Sequence, residues 1–150
     1  MQPRGRPKHI LIADKSRADQ WLIASSLDPA LSSTTVVSDG DTALQYLFRR
    51  GPYHEARRPD LVIIDLDVPG VSGLDLLRLI KSDSETKTIP VIVLSTSVKR
   101  VDLDRCYETH ANAVIEKPAD GGGFRDLIQE IQHFWCIHAR LPDIRGVMSL

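Results

Sequence analysis

The run Asp60-Leu61-Val62-Ile63-Ile64-Asp65-Leu66-Asp67-Val68-Pro69-Gly70 constrains the fold more than any other part of the chain. Four consecutive apolar residues end on a carboxylate, and a Pro-Gly turn follows. Apolar side chains at every position, rather than at alternate ones, describe a strand buried on both faces, as in a parallel sheet covered by helices. Such a strand delivers the residue at its carboxyl end to the crevice where open α/β sheets bind ligands. Asp65 is that residue. Three further apolar runs end in chemistry-bearing residues. His9-Ile10-Leu11-Ile12-Ala13 leads into Asp14, Val91-Ile92-Val93-Leu94 into Ser95, and Ala113-Val114-Ile115-Glu116 into Lys117-Pro118. Two acids, a hydroxyl and an amine are thereby expected at one edge of one sheet.

Helical patterns alternate with these runs. Ser16 is placed to cap a first helix, with Asp19 at the position of a capping-box acid, and Pro29 limits that helix. Ser33 to Val37 reads as a second strand, and Asp39-Gly40 turns into a helix near Asp41 to Arg49. Leu74, Leu77 and Ile80 lie at helical spacing on a third helix. A fourth covers roughly Val101 to Thr109. Phe124, Leu127, Ile128, Ile131, Phe134 and Trp135 form the apolar stripe of a fifth. Five βα units in succession require parallel pairing and right-handed crossovers. The expected architecture is a doubly wound α/β sheet, flavodoxin-like (βα)5, with strand order 2-1-3-4-5. That order sets the first and third strands, and hence Asp14 and Asp65, side by side at the switch point.

Composition excludes several classes. A net charge of −1 over 150 residues exerts no global pull toward nucleic acid or an anionic membrane. No apolar stretch is long enough to span a bilayer, and no secretory h-region follows Met1. Two cysteines, Cys106 and Cys136, are too few for a disulfide framework and lack metal-ligand spacing. A reduced, cytoplasmic compartment is the expectation. The five histidines are scattered and nominate neither a metal site nor a catalytic base.

Two neighbouring carboxylates repel unless a cation lies between them. A hard cation such as Mg²⁺ takes oxygen ligands and keeps several waters. Asp14 and Asp65 suit it, with the backbone carbonyl of Asp67 as a third ligand. A carboxylate in that setting can attack a phosphoryl group. Lys117 would supply positive charge, and Ser95 a hydroxyl donor, to the phosphoryl oxygens.

With those residues in order, the chain resembles a response-regulator receiver domain over roughly Lys8 to Trp135. It is most similar to small stand-alone regulators paired with bacterial phytochromes. That likeness is carried by Asp39-Gly40 followed by Ala43-Leu44, by Arg58-Pro59-Asp60, Lys87-Thr88-Ile89-Pro90 and Ser95-Thr96-Ser97, and by Phe134-Trp135 with Leu141-Pro142. The resemblance implies Asp65 as phosphoacceptor, Asp14 as metal ligand, and Ser95, Thr96 and Lys117 as phosphate-contacting residues. It also implies a cis bond before Pro118, a sensor histidine kinase of phytochrome-like type as partner, and a homodimer. The implied organisation is a tail at 1–7, a receiver at 8–135 and an extension at 136–150. With no output domain expected, output is expected by binding other proteins, by dimer rearrangement or by passing the phosphoryl group on.

Three departures from the family pattern stand out. Ala13-Asp14 replaces the usual pair of acids, which weakens the expected Mg²⁺ site. Lys15 is a candidate substitute for the cation. Val114 stands where the switch aromatic is usual. These support a rival reading, a pseudo-receiver that binds partners without phosphate, which Asp65, Asp14, Ser95 and Lys117 oppose. A phosphorylatable receiver with weakened metal binding is the favoured expectation. A third reading takes Asp65-Leu66-Asp67-Val68 as the nucleophile and general acid of a haloacid-dehalogenase-like phosphatase. Against it, that motif usually lies on the first strand, and no later acidic pair follows Lys117-Pro118. The tail Arg4-Gly5-Arg6 is similar to an AT-hook core, which would set two arginines in a narrow minor groove. A short match of this kind arises readily by chance, and a solvated tail is the favoured expectation.

Overall fold

The apolar runs become the strands of one sheet. In the computed structural model, which describes residues 6–143, these are β1 (Lys8–Ala13), β2 (Ser32–Val37), β3 (Leu61–Ile64), β4 (Val91–Ser95) and β5 (Ala113–Glu116). All neighbours pair in parallel, in the order β2-β1-β3-β4-β5. The helices between them are α1 (Arg17–Ser26), α2 (Gly40–Leu47), α3 (Gly73–Ser82), α4 (Arg100–Glu108) and α5 (Gly121–His133). This is the flavodoxin-like order expected from the sequence.

Successive strand residues face opposite sides of the sheet, so each uninterrupted apolar run feeds two cores. Leu11, Val62, Ile64 and Val93 pack with Leu47 of α2, Leu76 and Ile80 of α3, and Cys106 of α4. Ile10, Ile12, Ile63 and Leu94 pack on the other side with Ile23 of α1 and with Phe124, Ile128 and Ile131 of α5. Both cysteines are buried and free.

Local chemistry sets the helix starts. The Ser16 and Ser72 hydroxyls accept from the backbone N–H of Asp19 and Asp75, and the Asp39 and Asp120 carboxylates from those of Thr42 and Gly123. α2 stops at Leu47, short of the expected Arg49, because Arg49 turns into the left-handed region at φ 54°. Gly40 is demanded by a close approach: a Cβ there would lie 1.8 Å from the Val71 carbonyl oxygen. Gly73, at the start of α3, is demanded by another, since its Cβ would lie 2.5 Å from the Asp65 carbonyl oxygen.

The end of the chain differs from expectation. The α5 stripe does not continue as one helix. It passes into a π-helical turn, Phe134–His138, closed by a 2.7 Å bond from the Ala139 N–H to the Phe134 carbonyl. The wider turn buries Cys136 and Ile137 and leaves Phe134 exposed, edge-on to the half-buried Trp135. The packed unit therefore extends past residue 135. At the open edge of the sheet, the Val114 N–H donates to the Tyr107 hydroxyl of α4 at 3.1 Å. At the opposite end of the chain, Arg6 is exposed, whereas Arg4 and Gly5 of the AT-hook-like tail lie outside the described residues.

Candidate functional site

The carboxyl ends of β1, β3, β4 and β5 bring together the residues that the sequence placed there. Register does this directly. Ala13 pairs with Ile64, so the next residues, Asp14 and Asp65, emerge side by side. Ser95 pairs with Glu116, so Lys117 emerges one residue beyond Ser95. The Lys117 ammonium lies 2.6 Å from Asp65 Oδ2 and 2.6 Å from Asp14 Oδ2. Asp65 Oδ1 accepts from the Ser95 hydroxyl at 2.8 Å and from the Asp67 N–H at 2.9 Å. Asp14 Oδ1 accepts from the Ser16 N–H at 2.8 Å. Asp14, Asp65 and Ser95 are all buried.

The two carboxylates differ in proton affinity despite sharing one lysine. Burial pushes both up. At Asp65 the Lys117 ammonium, the Asp67 N–H and the Ser95 hydroxyl outweigh it and hold the carboxyl below its usual range. Asp14 has only Lys117 and the Ser16 N–H to oppose burial, and the Asp65 charge adds to it, so its carboxyl lies above the usual range. Lys117 loses stability as a cation through burial but gains more from its carboxylates, and its pKa is raised. Asp65 is thus the more acidic and the more fully hydrogen-bonded carboxylate of the pair.

A residue that sequence reasoning misassigned completes the site. Asp19 Oδ2 lies 2.8 Å from the same Lys117 nitrogen. Ser16 caps α1 as expected, but the reciprocal bond of a capping box is not made. The Ser16 N–H is satisfied by Asp14 instead, which frees the Asp19 carboxylate to reach across to Lys117.

Other expectations are corrected or relocated. The described residues contain no cis peptide bond, so the bond before Pro118 is trans, the intrinsically favoured isomer, and not the cis bond expected. Lys15, the candidate cation substitute, is exposed and forms no ion pair with the site carboxylates; Lys117 holds that place. Thr96 is exposed and lines, with Asp19, Lys117 and Phe124, an open cleft of about 430 Å³ beside the carboxylates. Asp67 is exposed and contributes its N–H to Asp65.

The donor set suits a hard divalent cation. The oxygens of Asp14 and Asp65 converge on one cationic centre, and the carboxylates outnumber the single ammonium. No group of three or more acidic, histidine or cysteine side chains poised to hold a metal exists among the described residues. A cation here would therefore rest on two carboxylates and a carbonyl, with water completing its shell.

Comparison with known proteins agrees with this geometry. Residues 10–131 match the response regulator receiver domain. The chain is 33% identical over 141 residues to the response regulator Rcp1 of Synechocystis, covering 91% of this chain and 94% of that protein. The phosphorylated cyanobacterial phytochrome response regulator RcpA superposes with a TM-score of 0.88 at 36% identity, over 91% of this chain and 99% of that one. The Mn²⁺-bound form of Rcp1 superposes with a TM-score of 0.87 at 32% identity, over 91% of this chain and all of that one, 100%. Among the described residues no helix is long and apolar enough to cross a membrane. The chain belongs to the response regulator receiver domain family, whose members generally signal rather than catalyse, and is related to the phytochrome response regulators.

Proposed function

We propose that this chain is a two-component response regulator that accepts a phosphoryl group on Asp65 from a histidine kinase and signals by contact with other proteins. The observation that carries the reading is the buried Asp65 carboxylate held between the Lys117 ammonium and the Ser95 hydroxyl. Asp65 is kept ionised by the same groups that orient it. Its Oδ2 attacks the phosphorus of a phosphohistidine. The O–P bond forms as the N–P bond breaks, and the imidazole nitrogen keeps the bonding pair and takes up a proton. The Lys117 ammonium beside Asp65 Oδ2 neutralises a phosphoryl oxygen of the incoming group. Ser95 turns its hydroxyl from Asp65 Oδ1 to another. Phosphoryl transfer depends on positioning and charge neutralisation of this kind. Asp14, Asp65 and the Asp67 carbonyl would hold a Mg²⁺ ion, which supplies further neutralisation of the phosphoryl oxygens when bound.

Similarity to Rcp1 and RcpA supports a phytochrome-like sensor kinase as the donor. The haloacid-dehalogenase-like reading gains no support, because Asp65 follows the third strand rather than the first and Asp67 is exposed. Intact mass after treatment with acetyl phosphate and Mg²⁺ tests the proposal. One added phosphoryl group, absent from Asp65→Asn, is expected. No added mass at any donor concentration would leave the pseudo-receiver reading in its place.

A further inference from the structure

Lys117 has three N–H groups, and each meets a different carboxylate: Asp14 at 2.6 Å, Asp65 at 2.6 Å and Asp19 at 2.8 Å. The ammonium has no donor left for a phosphoryl oxygen. One carboxylate must give way before Lys117 can bond the incoming group. The Asp14 and Asp65 side chains are 3% and 6% exposed, whereas that of Asp19 is 29% exposed. A buried carboxylate oxygen stripped of its partner costs far more than one that water can reach. Asp19 is therefore the partner that yields. It also borders the open cleft lined by Thr96, Lys117 and Pro118.

We propose that Asp19 is a positioning residue for phosphoryl transfer: it holds the third N–H of Lys117 at rest and competes with the phosphoryl oxygen for it. The inference rests on the reading of Asp65 as phosphoacceptor. Asp19 opposes transfer twice, by occupying the donor and by adding negative charge where an anionic phosphoryl group must enter. Its release as the phosphoryl group enters unties the first turn of α1 from Lys117 at the end of β5.

The test is the initial rate of labelling by acetyl phosphate at saturating Mg²⁺, followed by intact mass in the full chain. Asp19→Ala is expected to label about threefold faster than wild type or more, the scale of a direct pairwise coupling. Asp19→Glu, which keeps the ion pair, is expected near the wild-type rate. Asp120 lines the same cleft but caps α5 and has no bond to Lys117. Asp120→Asn, which removes an equal charge, should change the rate by less than Asp19→Ala does. The gain from Asp19→Ala should disappear in a Lys117→Met background. Equal rates in wild type and Asp19→Ala, or the same gain without Lys117, would overturn the role of Asp19 while leaving Asp65 as phosphoacceptor. A chain that takes up no phosphoryl group in any variant would overturn both.

Discussion

His9 Nε2 lies 2.6 Å from the Tyr46 hydroxyl, buried at the end of the sheet away from the carboxylates. The Ser33 hydroxyl meets the other ring nitrogen at 2.7 Å, and the Thr35 hydroxyl lies 3.1 Å from Nε2. Burial disfavours the imidazolium, and the nearby Arg57 adds to this more than Asp60 opposes it, so the pKa is lowered from 6.5. Below pH 6.5 the unfolded chain binds more protons at this position than the folded one. The stability from a neutral His9 is present above pH 6.5 and is lost as pH falls through and below it. Thermal melts of wild type and His9→Gln between pH 8 and pH 5 check this. The wild type should lose more stability across that range than the variant, and parallel curves would remove His9 as the cause.

Gly73 lies close against the backbone of Asp65, the proposed phosphoacceptor. The Cβ of Gly73→Ala would fall 2.5 Å from the Asp65 carbonyl oxygen, a backbone atom that cannot swing aside. Overpacking of this kind costs about 1–3 kcal/mol. Urea unfolding should show that loss. Labelling at Asp65 should slow as well, because the strand end that aims the carboxylate has to move.

Restoring the absent acid should strengthen the cation site. Ala13→Asp adds a hard oxygen and a negative charge beside Asp14, and a Mn²⁺ titration should show tighter binding than wild type. Lys15→Ala should change the affinity little, since Lys15 is exposed and unpaired with Asp14 or Asp65, whereas Lys117→Met removes the ammonium between those carboxylates and should change it more. A larger effect from Lys15 than from Lys117 would reverse that assignment.

Phe134 is 54% exposed at the turn that closes α5, and it carries the expectation of self-association. Light scattering across a concentration series should give a mass above that of one chain, reduced by Phe134→Ser. A wild-type chain that remains monomeric, phosphorylated or not, would exclude a homodimer.

The interior strands were legible because their whole length is apolar. β1, β3 and β4 are covered on both faces, and burial on both faces writes itself into every position. With the strand order 2-1-3-4-5, Asp14, Asp65, Ser95 and Lys117 must converge. Asp19 was not legible, because an acid three residues after a capping serine looks the same whether it bonds back to the cap or reaches across the fold. What decides is the competing local bond from the Ser16 N–H to Asp14, together with Lys117 arriving from the far end of the chain. The exposure of Phe134 was hidden for a similar reason. A stripe at helical spacing predicts continued burial, and one π-helical turn rotates the register without a sequence signature. The isomer at Pro118 is not written in local sequence either, since both forms lie close in free energy.

The bond from the Val114 N–H to the Tyr107 hydroxyl bears on how two copies could meet. An edge strand with free backbone donors is a template on which another chain can continue the ladder. Here α4 leans over the rim and takes the donor in the middle of β5. A neighbour arriving at that rim finds an aromatic ring and a hydroxyl instead of an open row of amides. A ladder continued from β5 by another chain would first have to displace this hydroxyl, so α4 guards the rim against strand-to-strand fusion.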